Sequence, residues 1–202
     1  MTSKNAEGEL GDLLSDPLAV HGFRRDRDLV FSRRTHDRVD GIDFATLVDH
    51  NGIVRVSLAV TITFEALAPL LSDGQDERPT VAMPAHLLHE SEQYQDWVLS
   101  GRNKAEIRNE LLEEVERYAL PFFDRYPDLD ALHQALESDE PNDWIIFDTQ
   151  QRIATLVAID WVQGRKSGAR DRLSSALNDL ESTPLKKRYQ LSRLKARLSS
   201  LD

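Results

Sequence analysis

Apolar and polar side chains alternate strictly between residues 54 and 64. Because successive side chains of a strand point to opposite faces, this period predicts a long β-strand with one buried face. The buried positions are the even ones: Val54, Val56, Leu58, Val60, Ile62 and Phe64.

The stretch before this strand also carries apolar residues at even positions, and the connecting loop decides how the two strands pair. A two-residue Asn-Gly turn would set charged side chains opposite core positions. A three-residue loop over residues 50–52, with Gly52 left-handed, pairs positions whose numbers sum to 102. We predict this register because it aligns the apolar residues: Val48 with Val54, Phe44 with Leu58 and Ile42 with Val60.

Further elements complete the first part of the chain. A shorter strand through Leu29 and Phe31 and a fourth strand over Tyr94–Leu99 are predicted. Helical spacing predicts a helix over Lys104–Ala119, with a capping-box pattern that begins at Asn103. The fold class is therefore α+β, with an antiparallel meander sheet of about three to four strands covered by a helix.

The rest of the chain has helical spacing, apart from a strand-like run at Trp144–Phe147. Asp128 is predicted to cap a helix through Leu136, and Gln150–Val162 and Ala169–Leu180 are predicted to form a helical hairpin. Four residues have the spacing of one tetratricopeptide-like unit: Gly164, Ala169, Leu173 and Ala176. A solenoid needs about three such units, so we predict a packed hairpin rather than a repeat array.

These elements predict four regions. Residues 1–8 form a disordered terminus, which is followed by a short helix that starts at Pro17 and ends at Gly22. Residues 9–127 form the α+β sheet domain, residues 128–181 a helical region packed on it, and residues 182–202 a basic terminal helix.

Composition narrows the function classes. The 202 residues contain 35 acidic and 25 basic side chains, a net charge of −10, and no cysteine. Disulfides, thiol catalysis and thiolate metal sites are therefore excluded. No segment has the apolar length of a membrane span, and the first residues do not resemble a signal peptide. We therefore expect a cytoplasmic protein with no membrane association.

No catalytic signature is present. The chain lacks a nucleophile elbow, a phosphate-binding loop and a dinucleotide-binding glycine pattern. His86, His89 and Glu90 could share a helix face, but zinc catalysis would also need a third ligand, and the glutamate does not lie between the histidines. We interpret them as surface residues, and predict no catalytic residue, no cofactor and no metal.

The clearest charge feature is the C-terminus, where residues 182–201 contain six bases and no acid. Leucines at 191, 194, 198 and 201 give this helix a narrow apolar stripe that must be covered by the acidic body, a second copy or a partner. We expect it to mediate association rather than to complete the core. Nucleic acid is disfavoured because the acidic body would repel phosphates. The candidate partner-binding residues here are Lys186, Lys187, Arg188, Arg193, Lys195 and Arg197.

A second basic cluster surrounds the first predicted hairpin: Arg24, Arg25, Arg27, Arg33, Arg34 and Arg38. Four aspartates, at 26, 28, 37 and 40, are interleaved with it. We interpret the cluster as a solvated, self-paired edge. It also supplies four candidate partner-binding residues: Arg24, Arg25, Arg33 and Arg34.

Residues 10–180 resemble an uncharacterised bacterial family of α+β domains of unknown function. The resemblance is carried by Gly22-Phe23-Arg24-Arg25, by strands with Phe31, Phe64 and Trp97, and by Tyr118-Ala119-Leu120-Pro121-Phe122-Phe123 before Asp128-Leu129. The basic last helix departs from this pattern. The resemblance supplies no enzymatic activity and no catalytic residue to carry over, and some members of the family resemble immunity proteins that accompany secreted toxins.

Two functions from different classes follow. The favoured one is a non-enzymatic protein-binding factor, immunity-like or defence-associated, with a protein partner or a second copy of itself. The alternative is a small-molecule hydrolase with a cleft between the sheet and the helical half, in which His36, His86 or His89 acts as acid or base.

Overall fold

The computed structural model describes residues 3–72, 79–89, 96–99, 103–138, 145–146, 148–180 and 189–201. The fold is α+β, with an antiparallel sheet and a helical C-terminal half, as predicted. The chain divides into two compact units. The first contains Met1–Ile62 and Ala82–Tyr126, and the second contains Thr63–Val81 and Pro127–Asp202.

Within the described residues the sheet has six strands, more than the three to four predicted. Its order is β1-β2-β3-β4-β5, and β6 pairs with the start of β4. The long strand β4 has the predicted bounds and buries every even position. The strands are β1 (Arg24–Arg27), β2 (Val30–Thr35), β3 (Arg38–Val48), β4 (Val54–Phe64), β5 (Val81–Pro84) and β6 (Trp97–Leu99).

Two contacts confirm the predicted register of β3 and β4. The Asp49 N–H donates to the Ile53 carbonyl at 2.9 Å. A Cβ added to Gly41 would lie 2.2 Å from the Thr61 hydroxyl oxygen, so these two residues face each other. The position numbers sum to 102 in both pairs. Gly52 has a φ of 76°, the left-handed conformation that the three-residue loop requires.

The helical elements follow in chain order: α1 (Ser3–Val20), a 3₁₀ turn (Glu65–Leu67) leading into α2 (Ala68–Leu71), a 3₁₀ turn (Ala85–Leu88), α3 (Lys104–Glu114), a π-helical turn (Val115–Ala119), α4 (Leu120–Arg125), α5 (Leu129–Glu137), α6 (Thr149–Val162), α7 (Lys166–Asp179) and α8 (Tyr189–Ser199). In the part of the chain that the structure describes, none of these helices is long and apolar enough to cross a bilayer.

The first helix is longer than predicted. It is helical from Ser3, where the sequence predicts disorder, and it continues through Pro17, which is predicted to start it. Its face at Leu10, Leu14 and Leu18 is completely buried. Burial of three leucines on one face stabilises the helix by more than an interior proline costs, about 3 kcal/mol.

The end of α1 is as predicted. Gly22 follows the helix with a φ of 82°. The Phe23 N–H donates to the Leu18 carbonyl at 3.1 Å, and the Gly22 N–H donates to the Ala19 carbonyl at 3.0 Å. These bonds form the glycine-dependent C-terminal motif that satisfies the last carbonyls of a helix.

The helix predicted to stop at Ala119 continues into α4. A π-helical turn precedes Pro121, and the Leu120 N–H bonds to the carbonyl of Val115, five residues back. Pro121 then lies in the first turn of α4, directly after the π-helical turn. The predicted capping box is not formed, because the Asn103 side chain donates to the Val98 carbonyl instead.

The second unit is built around the predicted helical hairpin. Helices α6 and α7 join at Gly164, whose φ is 81°, and Ala169, Leu173 and Ala176 are buried between helices as the small-residue spacing predicts. The Asp128 carboxylate caps α5 by accepting from the Ala131 N–H at 2.8 Å, as predicted.

The strand-like run at Trp144–Phe147 is described only at Ile145 and Ile146, which are buried and lie outside any strand. Its two end residues lie outside the described residues, as does Tyr94 of the fourth predicted strand. That strand is shorter than predicted, Trp97–Leu99, with Trp97 on the buried face.

Candidate functional site

The basic cluster at the first hairpin contains a buried ion network, where the sequence predicts a solvated edge. Asp40 is completely buried, and its carboxylate lies 2.8 Å from Arg33 Nε and 2.7 Å from Arg38 Nε. The buried Arg38 guanidinium also donates to the carbonyls of Phe123, at 3.1 Å, and Tyr126. Arg38 therefore ties β3 to the end of α4, and this part of the cluster stabilises the fold.

Two of the predicted partner-binding arginines are also engaged within the first unit. The Arg33 guanidinium lies 4.8 Å from the ring centroid of Phe23. Arg25 pairs with Asp12 at 2.6 Å and packs against α1 at Gly11, where an added Cβ would lie 2.4 Å from the guanidinium. The other two candidate partner-binding residues of the cluster, Arg24 and Arg34, lie on exposed strand positions and stay candidates.

The terminal helix packs within the second unit, contrary to the expectation that it does not complete the core. Leu191, Leu194 and Leu198 are buried, and α8 packs against α2, α6 and α7. The Arg197 guanidinium donates to the Leu70 carbonyl at 2.6 Å. Lys195 is exposed and Arg193 half-buried. Three predicted partner-binding residues lie outside the described residues: Lys186, Lys187 and Arg188.

The candidate metal histidines do not share a helix face. His86 lies in a 3₁₀ turn, and His89 follows that turn, while Glu90 lies outside the described residues. His89 Nε2 lies 2.7 Å from Glu114 Oε2, and its ring stacks on Tyr118 with centroids 3.9 Å apart. Across the described ranges, no three histidine, aspartate or glutamate side chains cluster as a metal site would require.

A second histidine–carboxylate pair lies in the second unit, and the sequence pattern does not predict it. His133 Nε2 lies 3.0 Å from the buried Asp160 carboxylate, which also pairs with Arg165 at 2.7 Å. Arg172 approaches the same carboxylate at 3.4 Å. The network joins α5, α6 and α7, so we interpret it as structural. Its sequence signal is one acid inside the otherwise apolar run of α6, residues 156–162.

Apolar side chains are exposed where the β3–β4 hairpin meets β6. Leu47 is 65% exposed, Val98 43% and Ile53 38%. We call these three residues the hairpin-end patch. Val98 lies opposite Arg55 in the β4–β6 ladder, and the β3–β4 register sets Leu47 opposite Arg55 on the other side. The patch therefore crosses three strands on the face opposite the core.

Arg55, at the centre of the patch, is held by an ion pair with Asp96 at 3.0 Å. Exposed apolar side chains that lie together, with polar groups beside them, are typical of a binding surface. The sequence contains a signal for this surface, because adjacent apolar residues in a strand, such as Leu47-Val48, must place one side chain on each face. Comparisons of the chain with family models, curated proteins and solved structures find no match.

Proposed function

We propose that this chain is a non-enzymatic protein-binding protein and that the hairpin-end patch is its binding surface. The observation that carries the proposal is the exposure of Leu47, Ile53 and Val98 on one face of the sheet. The free energy falls when a partner covers exposed apolar side chains that lie together, and polar groups within the interface give specificity. The Arg55–Asp96 pair supplies that polar component.

The partner we propose is a basic protein. A net charge of −10 attracts a cationic partner and speeds its association at low salt. The resemblance to immunity-like domains also favours a basic partner, since an acidic inhibitor suits a basic toxin such as a nuclease. A defence-associated role is therefore part of the proposal.

The test is affinity capture from native lysate at low salt. We expect the wild-type chain to recover a defined partner, and the double variant Leu47→Thr, Val98→Thr to lose at least about 90% of it, because both apolar contacts are removed. Threonine is well tolerated in strands, so the variant should fold.

Val20→Thr is the matched control, because Val20 is 83% exposed on α1, away from the hairpin-end patch. This variant should capture the partner as the wild type does. Equal capture by the patch variant, or no recovery by the wild type at any salt concentration, would contradict the proposal.

A second candidate function is favoured by one contact, the 2.7 Å approach of His89 Nε2 to Glu114 Oε2. A carboxylate that orients an imidazole is the usual arrangement of a general base, and the nearby π-helical turn is a type of element often found at functional sites. This pair lies within the first unit, whereas the sequence predicts a hydrolase cleft between the sheet and the helical half.

Hydrolysis of a panel of activated esters tests this candidate. If the chain is a hydrolase, His89→Gln should lower turnover at least about 100-fold, and His36→Gln, at an exposed hairpin turn, should not. Absence of turnover by the wild type, or equal rates for the two variants, would exclude His89 as the base.

A further inference from the structure

Strand β3 extends beyond its neighbour β2. The β2–β3 ladder ends where Val30 lies opposite Asp43. The next backbone bond on that side is the Phe44 N–H donating to the Leu29 carbonyl at 3.1 Å. Residues 45–48 continue the strand, and all four are exposed. Among the described strands, they therefore pair with β4 alone.

The backbone direction at this edge follows from the period of the strand. Phe44 directs its N–H toward β2, and alternate residues direct theirs the same way. Thr46 and Val48 therefore direct their N–H and C=O groups away from β4. The Asp49 N–H, which bonds to Ile53 across the hairpin, points the opposite way and fixes this phase.

We propose that an extended segment of a partner protein adds to this edge as a new strand, antiparallel or parallel to β3, and bonds to the backbone of Thr46 and Val48. Leu47, which lies between them, brings the hairpin-end patch to the same edge. The inference rests on the proposed function and names its mode of binding. Unpaired edges bind other chains in this way because the main-chain bonds need no particular sequence.

The length of the edge favours a segment over a second copy of this chain. Four residues of strand span about 13 Å. Pairing two such edges buries far less than the roughly 1,200 Å² of a stable dimer. A single extended segment needs no such area, since it contacts the edge and the patch together.

Charge defines the chemistry of the segment. The Thr46 hydroxyl donates to the Glu7 carboxylate at 3.1 Å, so a carboxylate lies beside the edge on the face of Thr46. On the other face the carboxylates near Leu47 are already engaged: Asp49 accepts from the Ile53 N–H at 2.9 Å, and Asp96 pairs with Arg55 at 3.0 Å. A segment with basic side chains toward Glu7 and apolar side chains toward Leu47 therefore fits. This is an alternating apolar and basic strand.

The probe is an eight-residue peptide of alternating valine and lysine, titrated into the isotopically labelled full-length chain. We expect amide shifts centred on residues 45–48 and slower hydrogen exchange at Thr46 and Val48. A peptide of alternating valine and glutamate should bind at least about tenfold more weakly, and so should the lysine peptide with alternate amides methylated. Equal binding by either control peptide would overturn the proposal.

Val48→Pro tests the edge itself, because it removes an N–H that points away from β4, a position where proline is tolerated. It should weaken lysine-peptide binding at least about tenfold relative to Val48→Ala. The methylated peptide provides the same test should the proline variant fail to fold. Three results would overturn strand addition: slow exchange at Thr46 and Val48 in the free chain, a dimer that Val48→Pro dissociates, or undiminished binding by Val48→Pro.

These outcomes are separable from the failure of the proposed function. If Val48→Pro captures the lysate partner and the patch double variant does not, the protein binds through the patch without strand addition. If the wild type captures no partner, the proposed function fails, whatever the peptide does.

Discussion

Arg38→Met is expected to lower the free energy of unfolding by about 3–5 kcal/mol. Arg38 is buried, and its guanidinium contacts three acceptor groups. It pairs with the fully buried Asp40 carboxylate, and it donates to the carbonyls of Phe123 and Tyr126 at the end of α4. Methionine preserves much of the side-chain volume. It leaves the buried Asp40 carboxylate with one fewer cationic partner, and the carbonyls at the end of α4 without their donor.

Urea denaturation measures this loss, and Arg24→Met is the control. Arg24 lies on an exposed position of the edge strand β1, so its replacement should change the unfolding free energy by less than about 0.5 kcal/mol. The double variant Arg38→Met, Asp40→Asn should cost less than the sum of the two single variants, since it removes the buried charge together with its partner. A cost for Arg38→Met as small as that for Arg24→Met would show that the network does not stabilise the fold.

The register of the central hairpin could be predicted because all its determinants are local. Alternation from Val54 to Phe64 fixes one face, and Gly52 supplies the left-handed residue of the loop. The burial of Arg38 could not be predicted in the same way. Its carbonyl acceptor on Phe123 is 85 residues away in sequence, so the segment around Arg38 resembles an ordinary charged edge.

The helices show the same division between local and distant causes. Gly22 and Asp128 end and begin their helices where predicted, because caps depend on a few neighbouring residues. The start of α1 at Ser3 depends on burial of its leucine face, which sequence spacing alone does not show. The only part of the proposed site that the sequence signals is the pair of adjacent apolar residues Leu47-Val48, one of which must face away from the core. Their exposure results from β2 ending before β3 does.

Leu194→Ala is expected to lower the free energy of unfolding by about 2–5 kcal/mol. Leu194 is 2% exposed, on the face of α8 that packs against α2, α6 and α7. Truncation there removes buried methyl groups and leaves a cavity that the surrounding helices fill only in part. Lys195→Ala, one position along on the exposed face, should change stability by less than about 0.5 kcal/mol.

The same packing predicts that removal of residues 182–202 lowers the melting temperature by at least about 6 °C, since three buried leucines and the Arg197 bond to Leu70 are lost together. Thermal unfolding and sedimentation of the wild-type and shortened chains distinguish a role of α8 in stability from a role in association. A role in association predicts the opposite pair of results, in which the shortened chain melts at the wild-type temperature and loses a dimer or partner. That outcome would show that the leucine face of α8 contributes nothing to the second unit.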